Sequence, residues 1–403
     1  MKTMVIGLGP YYNYPKSFNL WKAANTRYAS NHGASLISKS ILDEFNGDYV
    51  DDYSNISQLR KDYDYCVLAS STHIHPHRDV TEYAEIIEKL DLPTLGFSFG
   101  IQDYRANTSG LIDVHPSVIR LLKAIGDRSE YIGVRGFYTA SVLYKLGFKN
   151  VVPVGCPTLY RNGSRDFKIK KPNVFNNPLV VFHHTMFKDC IDLLNSCDFL
   201  GQDYEDEMIF TDHLLNDTLL RDYVEKKYKY ALKSEIIQLI KDRGLWVDTS
   251  SDWLELVGSR DFVIGPRIHG CIAAITQGVP ALLTPRDLRV LEFAEFYGLP
   301  YVPISEVKKY NLEQLYEKAD YEKFNKLFPE RYNNFVSFLA ANNAPHVLND
   351  DNSPHGLSYS ASDFIEANCI TCRGAREESR QISRLATNLI KVLIDRVKTK
   401  LRR

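Results

Sequence analysis

Phe262-Val263-Ile264-Gly265-Pro266-Arg267-Ile268-His269-Gly270-Cys271-Ile272-Ala273-Ala274-Ile275-Thr276-Gln277-Gly278-Val279-Pro280-Ala281-Leu282-Leu283 compresses a strand, a turn, a helix and a second strand into one stretch. Phe262–Ile264 is a short apolar run of the kind buried on both faces of a parallel sheet. Gly265-Pro266 breaks it. His269–Gln277 reads as a small-residue helix, and Gly278 stops it in the usual C-terminal position. Ala281–Leu283 then resumes the sheet. One β-α-β unit of this kind implies a parallel sheet with helices on its faces.

The same grammar extends outward in both directions. Met4–Gly7, Tyr65–Ala69, Pro93–Phe99, Tyr131–Val134 and Val151–Val154 read as strands. Asn31–Phe45, Val80–Leu90, Val118–Ile125 and Phe137–Leu146 read as the helices between them. Asn162–Asn177 is polar and turn-rich, a linker. Leu179–Phe182 opens a second set, with helical stretches at Lys188–Asp198 and Leu219–Gly244. Trp246–Val247 closes a strand region, and Thr249-x-x-Asp252 is a capping box before a helix at Asp252–Val257. The expected organisation is an α/β chain with two Rossmann-like domains, 1–165 and 175–330. A helical C-terminal extension, 331–403, follows; within it Asn349–Ser360 reads as a loop and Glu377–Arg403 as a long helix with a basic end. Ligands of such sheets sit outside the carboxyl ends of the strands, here in a cleft between the halves.

The 403 residues carry a net charge of −1, so no overall field recruits nucleic acid or anionic lipid, and any anion must be held by local cations. No apolar run reaches the ~18 residues of a membrane span. The first residues, Met1–Gly9, read as a strand and turn, not a signal peptide. The expected location is cytoplasmic, with the basic end of Glu377–Arg403 a candidate for peripheral contact with the inner membrane face. Seven scattered cysteines fit reduced thiols. Cys369-x-x-Cys372 has no second ligand pair, and no metal site or cofactor is expected.

Chemistry concentrates at strand ends. In Arg267-Ile268-His269-Gly270 the arginine suits a carboxylate or phosphate, and the helix start favours an anion. His269 is a proton donor or acceptor near neutral pH, and Gly270 admits close approach. Asp287-Leu288-Arg289 and Glu292 bring three charges past the next strand end. Ile132-Gly133-Val134-Arg135-Gly136 repeats the strand–arginine–glycine–helix pattern in the first half. Gly155-Cys156-Pro157 is a further strand-end turn, with Cys156 a minor nucleophile candidate. His183-His184 follows a strand on the second side of the cleft. His73-Ile74-His75-Pro76-His77 reads as a polar loop more readily than as a metal site.

Together these segments resemble the polysaccharide pyruvyl transferase family from about Asn31 to Pro300. The likeness includes Asn31-His32-Gly33-Ala34, Gly133–Thr139, Val154–Pro157, Arg267–Gly270 and Asp287-Leu288-Arg289 with Glu292. Ala34 and Phe137 stand where Asp and Glu are found in other members. The resemblance implies a glycosyltransferase-B-like fold and phosphoenolpyruvate as donor substrate. It implies that Arg135, Arg267 and the Ile268 backbone bind the donor and that His269 acts as acid. Asn31, Gly33, His183, His184, Asp287, Arg289 and Glu292 are expected around the acceptor or the cleft. The acceptor would be a sugar or lipid-linked oligosaccharide, met on the first-domain side, with the donor on the second. A nucleotide-sugar glycosyltransferase and a non-catalytic glycan-binding protein are the alternatives on the same fold. The acceptor's identity and the oligomeric state are left open at this stage.

Overall fold

The protein is seen here in a computed structural model that describes residues 1–7, 31–101, 114–203, 206, 210, 234–247, 249–348 and 357. The segment Glu377–Arg403, most of Asn349–Ser360, the Cys369/Cys372 pair and residues 219–233 lie outside the described residues.

Eleven strands are described, and every paired strand runs parallel. In the first half they are β1 (Thr3–Gly7), β2 (Asp48–Tyr49), β3 (Tyr65–Ala69), β4 (Thr94–Phe97), β5 (Ile132–Val134) and β6 (Val151–Pro153). The order is β2-β1-β3-β4, and β5-β6 continue it through a parallel bridge between Phe99 and Val134. The second half holds β7 (Pro178–Val181), β8 (Asp198–Leu200), β9 (Gly244–Leu245), β10 (Phe262–Gly265) and β11 (Ala281–Leu283), ordered β11-β10-β7-β8-β9. The helices that matter for the site are α1 (His32–Phe45), α2 (Pro116–Gly126), α3 (Phe137–Lys145), α4 (Ser250–Gly258), α5 (Ile268–Thr276), α6 (Leu288–Tyr297) and α7 (Glu322–Ala341).

Local chemistry accounts for these boundaries. Asn31 caps α1 by accepting from the Ala34 N–H at 2.8 Å, a contact of about 1 kcal/mol. Asn46 ends that helix in the left-handed conformation. Thr249 caps α4 by accepting from the Asp252 N–H, as the capping-box reading expects. Gly265 is needed where β10 turns into α5: its φ is +157°, and a Cβ there would stand 2.3 Å from the Val181 carbonyl oxygen. Strands β1, β3, β4 and β10 are buried throughout, so they read as continuous apolar runs.

The sequence reading needs correction in three places. The stretch Lys188–Asp198, expected as one helix, is two short helical turns that end before a strand, β8. The stretch ending at Gly244 likewise gives way to β9. The boundary at 330/331 falls inside α7, a continuous helix that returns to the first half. There the Tyr65 hydroxyl donates to the Asn342 carbonyl at 3.0 Å, and the Asn334 amide donates to the Pro153 carbonyl at 2.9 Å.

One apolar cluster joins the halves: Val5, Leu36 and Phe97 share it with Val263, Ile272 and Phe335, while a second cluster lies under the first sheet alone. The architecture is therefore two Rossmann-like units in a glycosyltransferase-B-like arrangement, closed by a C-terminal helix. No helix among the described residues is long and apolar enough to cross a membrane.

Candidate active site

The carboxyl ends of both sheets meet at a seam, and the strand-end residues read from the sequence gather there. Arg135 leaves β5 and is 2% exposed. Its Nε donates to the Ser98 hydroxyl at 3.3 Å and a terminal nitrogen to the Ser71 hydroxyl at 3.4 Å. No carboxylate lies within ion-pair distance of it among the described residues. Burial lowers its pKa, yet a guanidinium stays charged at neutral pH. Its direct partners are thus hydroxyls, with the Glu292 carboxylate acting on it from beyond ion-pair distance, and a charge so buried is costly unless an anion arrives to pair with it. Ser98 sits in the left-handed region, φ +62°, strain of a kind that clusters at functional sites.

Arg267 caps β10 from the other half. Its Nε donates to the Phe182 carbonyl at 3.1 Å, and its terminal nitrogen pairs closely with Asp203 and, at 3.8 Å, with Asp206. Asp206 is fully buried, and burial followed by the Asp203 charge pushes its pKa upward. Ile268 and His269 open α5, where first-turn N–H groups have no intrahelical carbonyl to bond. His269 is partly exposed, and its Nε2 lies 3.7 Å from the Cys156 sulfur. Burial, then the Arg135 and Arg289 charges, hold its pKa well below the ordinary histidine value, so the resting ring is neutral.

Arg286 and Arg289 follow β11 and share the buried carboxylate of Asp287, at 3.7 and 3.3 Å. The Nε of Arg289 is buried without a hydrogen-bond partner among the described residues. His183, at the end of β7, meets Arg286 through Nε2 at 2.6 Å and lies tilted against the His184 ring, with centroids 4.1 Å apart. Burial and the surrounding arginines 267, 286 and 289 keep His183 neutral.

Some residues expected at the cleft turn out to be engaged in holding it together. The Glu292 carboxylate accepts from the Thr139 N–H at 2.6 Å and from its hydroxyl at 2.9 Å, capping α3 across the seam. Burial pushes its pKa to about 7, against the Thr139 bonds and the Arg135 charge, which lower it. Asp287 caps its own helix, α6. Asn31 bonds Ala34 and the Gln202 side chain and forms a backbone bridge with Asp203. His32 enters the second half, stacked on Trp253 and bonded to the Val247 carbonyl at 3.0 Å. Gly33 lies against His269: a Cβ there would stand 2.7 Å from the histidine Cβ. Gly270, read as an opening for a ligand, faces the Val181 side chain instead, so its smallness serves helix–strand packing. His73 points inward and accepts from the Ser71 N–H at 3.0 Å, while His75 accepts from the His77 N–H. No group of three metal-ligating side chains occurs among the described residues.

The sequence reading missed Arg286, Ser71, Ser98 and Asp203. Arg286 obeys the same strand-end rule as Arg135 and Arg267. Ser70-Ser71-Thr72 is a polar run directly after β3, a second usable signal. Nothing local marks Ser98 or Asp203.

No curated protein matches the chain. Among solved structures it is similar to the S. aureus MnaA–UDP complex, at 11% identity over 91% of this chain and 95% of that one, with a TM-score of 0.40. It is also similar to Methanocaldococcus jannaschii UDP-GlcNAc 2-epimerase in complex with UDP-GlcNAc and UDP, at 14% identity over 79% and 91%, TM-score 0.38. The Neisseria meningitidis UDP-GlcNAc 2-epimerase bound to UDP-GlcNAc shows 10% identity over 82% and 99%, TM-score 0.36. The family model for polysaccharide pyruvyl transferase matches residues 31–287, more than half of the chain, a span that includes Arg135, Arg267 and Arg286. The chain therefore belongs to the polysaccharide pyruvyl transferase family.

Proposed function

We propose that the protein transfers the pyruvyl group of phosphoenolpyruvate to a sugar hydroxyl of a polysaccharide or its lipid-linked precursor, and that a second hydroxyl closes a cyclic ketal. The observation that carries this reading is Arg135, a buried guanidinium with no carboxylate within ion-pair distance among the described residues, whose charge is felt by His269 together with that of Arg289. Phosphoenolpyruvate presents a carboxylate and a phosphate close together. Four arginines, 135, 267, 286 and 289, surround the seam with carboxylates that are partly neutralised: burial pushes Glu292 up to about 7 and Asp206 upward. The balance favours a multiply charged anion.

In this reaction the donor's methylene carbon takes a proton, and the adjacent carbon becomes electrophilic. The first hydroxyl adds there. The second hydroxyl then displaces phosphate, and its proton leaves with the phosphate. His269 is the acid, and donor binding makes it competent. The incoming negative charge offsets Arg135 and Arg289, the two cations that depress the ring's pKa. No metal or cofactor enters the scheme.

The test is direct. Purified protein is incubated with phosphoenolpyruvate and a panel of synthetic or lipid-linked glycans, and products are read by mass spectrometry. A ketal-sized mass gain with phosphate release is expected. Turnover supported by a nucleotide sugar instead, with no phosphoenolpyruvate consumed, overturns the reading.

A further inference from the structure

We infer that Cys156 is a working part of the site, acting through His269: its thiol fixes the imidazole tautomer and exchanges a proton with it during pyruvyl transfer. The inference rests on the donor reading above. Cys156 follows β6 in the first half and His269 opens α5 in the second, so their 3.7 Å contact crosses the seam. The thiol is fully buried, and the Thr158 hydroxyl lies 3.0 Å from its sulfur. Its backbone is locked as well. The Cys156 N–H donates to the Tyr297 hydroxyl at 2.9 Å, and that hydroxyl donates back to the Cys156 carbonyl. Gly155 makes the turn possible at φ +81°, and a Cβ there would strike the Tyr297 hydroxyl. A surplus buried cysteine would need none of this fixing.

Three further facts give the contact a direction. The resting imidazole is neutral, held so by burial, Arg135 and Arg289. Its Nε2 faces sulfur, and its Nδ1 has no hydrogen-bond partner among the described residues. A thiol donating to Nε2 leaves the ring proton on Nδ1, the nitrogen available to substrate. Arg135, buried and with no carboxylate within ion-pair distance among the described residues, interacts electrostatically with Cys156, so its cation favours negative charge on the sulfur. The other titratable groups that face the thiol are Glu44, whose carboxyl burial keeps protonated, and the Tyr160 and Tyr297 hydroxyls, raised by burial and neutral.

The proton count closes. As the donor's charge arrives, the S–H proton moves to Nε2, leaving a thiolate beside Arg135 and an imidazolium. Nδ1–H is delivered to the donor's methylene carbon. The attacking hydroxyl forms its C–O bond at the adjacent carbon and gives its proton to Nδ1, while Nε2 returns its own to sulfur. One O–H and one S–H are broken and remade as C–H and S–H, and no bulk proton is consumed.

The experiment compares wild type with Cys156→Ala, Cys156→Ser, His269→Gln and the Cys156→Ala/His269→Gln double variant. Two quantities are measured: kcat, and proton uptake on phosphoenolpyruvate binding, from titration calorimetry in buffers of different ionisation enthalpy. The expected result is a kcat at least about 10-fold lower for Cys156→Ala, with partial rescue by Ser. The double variant should be no slower than His269→Gln alone, since the two residues act as a unit. Cys156→Ala should take up about one more proton from bulk on donor binding than wild type, because the internal source is gone. A change in packing alone would not move that proton count. Unchanged proton uptake, or a Cys156→Ala kcat within about threefold of wild type, overturns the inference. Absence of phosphoenolpyruvate-dependent turnover in wild type overturns the donor reading instead.

Discussion

Arg135 ends β5 and Arg267 ends β10, each at a strand-to-helix turn beside a glycine or proline, yet the first has no carboxylate partner and the second has two. The local sequence treats them alike. What separates them is a counter-charge delivered from a distant part of the chain: Asp203 and Asp206 reach Arg267, and nothing comparable among the described residues reaches Arg135. One half of the molecule presents a cation with no carboxylate in ion-pair contact among the described residues, and the other a cation paired directly with the protein's own carboxylates. Under the proposed function, the donor would complete the first and would have to exchange with the carboxylates of the second.

The sharpest way to break that comparison is to remove the unanswered charge while keeping its volume. Arg135→Met should abolish donor affinity by about 30-fold or more, since truncating a buried charge contact costs at least ~2 kcal/mol. Its thermal stability should hold or rise, because a buried cation without a carboxylate is a burden in the free protein. Calorimetric titration with phosphoenolpyruvate and a melting curve check both halves of the statement. A variant that binds the donor normally would show that Arg135 is answered by something other than substrate. Arg135→Lys should recover only part of the affinity, because a planar fork is replaced by a point charge.

His269 lies between the two arginine environments, and its neutral state reports on them. His269→Gln should retain donor binding and lose turnover by about 10²-fold, the lower end of a general-acid contribution. Near wild-type turnover would move the proton source elsewhere. Glu292 and Asp287 are then poor substitutes, since one caps α3 and the other caps α6.

Glu292 tests the seam itself. Its folded pKa is about 7, above the ordinary value, so the folded state holds the proton more tightly than the unfolded chain. The stability this contributes is present at low pH and is lost as pH rises from about 4.5 through about 7, an effect of order 3 kcal/mol at most. Glu292→Gln keeps an acceptor for the Thr139 N–H and removes the titration. Melting temperatures recorded across that window should fall with pH more steeply in wild type than in the variant. Parallel curves would mean that the carboxyl is ionised throughout.

Much of this was legible in sequence because buried parallel strands announce themselves. Tyr65–Ala69 and Ala281–Leu283 are apolar end to end and coincide with β3 and β11. The strand Asp198–Leu200 did not announce itself, because it begins on an aspartate immediately after a helical turn. The return of α7 to the first half is likewise tertiary information, carried by Tyr65, Tyr131 and Asn334 contacts that no window along the chain contains. At the candidate site, strand-end position picked out Arg135, Arg267 and His269, which the structure brings to one seam. The same rule, applied once more, finds Arg286. It cannot find Ser98, whose left-handed backbone has no signature in a serine codon position, or Asp203, whose partner is 64 residues away.

Asp203 also supplies the smallest of the expected effects, and the one that most directly probes the satisfied half. Its side chain is 18% exposed and that of Arg267 16%, so the pair is screened only in part. If donor and Asp203 compete for one guanidinium, the donor must displace the carboxylate to use Arg267. Asp203→Asn keeps the shape and weakens the competitor, and donor affinity should rise about threefold, equivalent to ~0.6 kcal/mol. Asp206 limits the gain, because it stays 3.8 Å from the same guanidinium. Removing the neighbouring Asp203 charge should also lower the Asp206 pKa, so more of Asp206 is ionised and takes up part of the vacated role. The rise in affinity should therefore be larger at acidic pH, where Asp206 is protonated, than at pH 8. A loss of donor affinity in Asp203→Asn would show the opposite arrangement: the carboxylate would be holding Arg267 in its binding posture, and the two arginines would differ in support and not in availability.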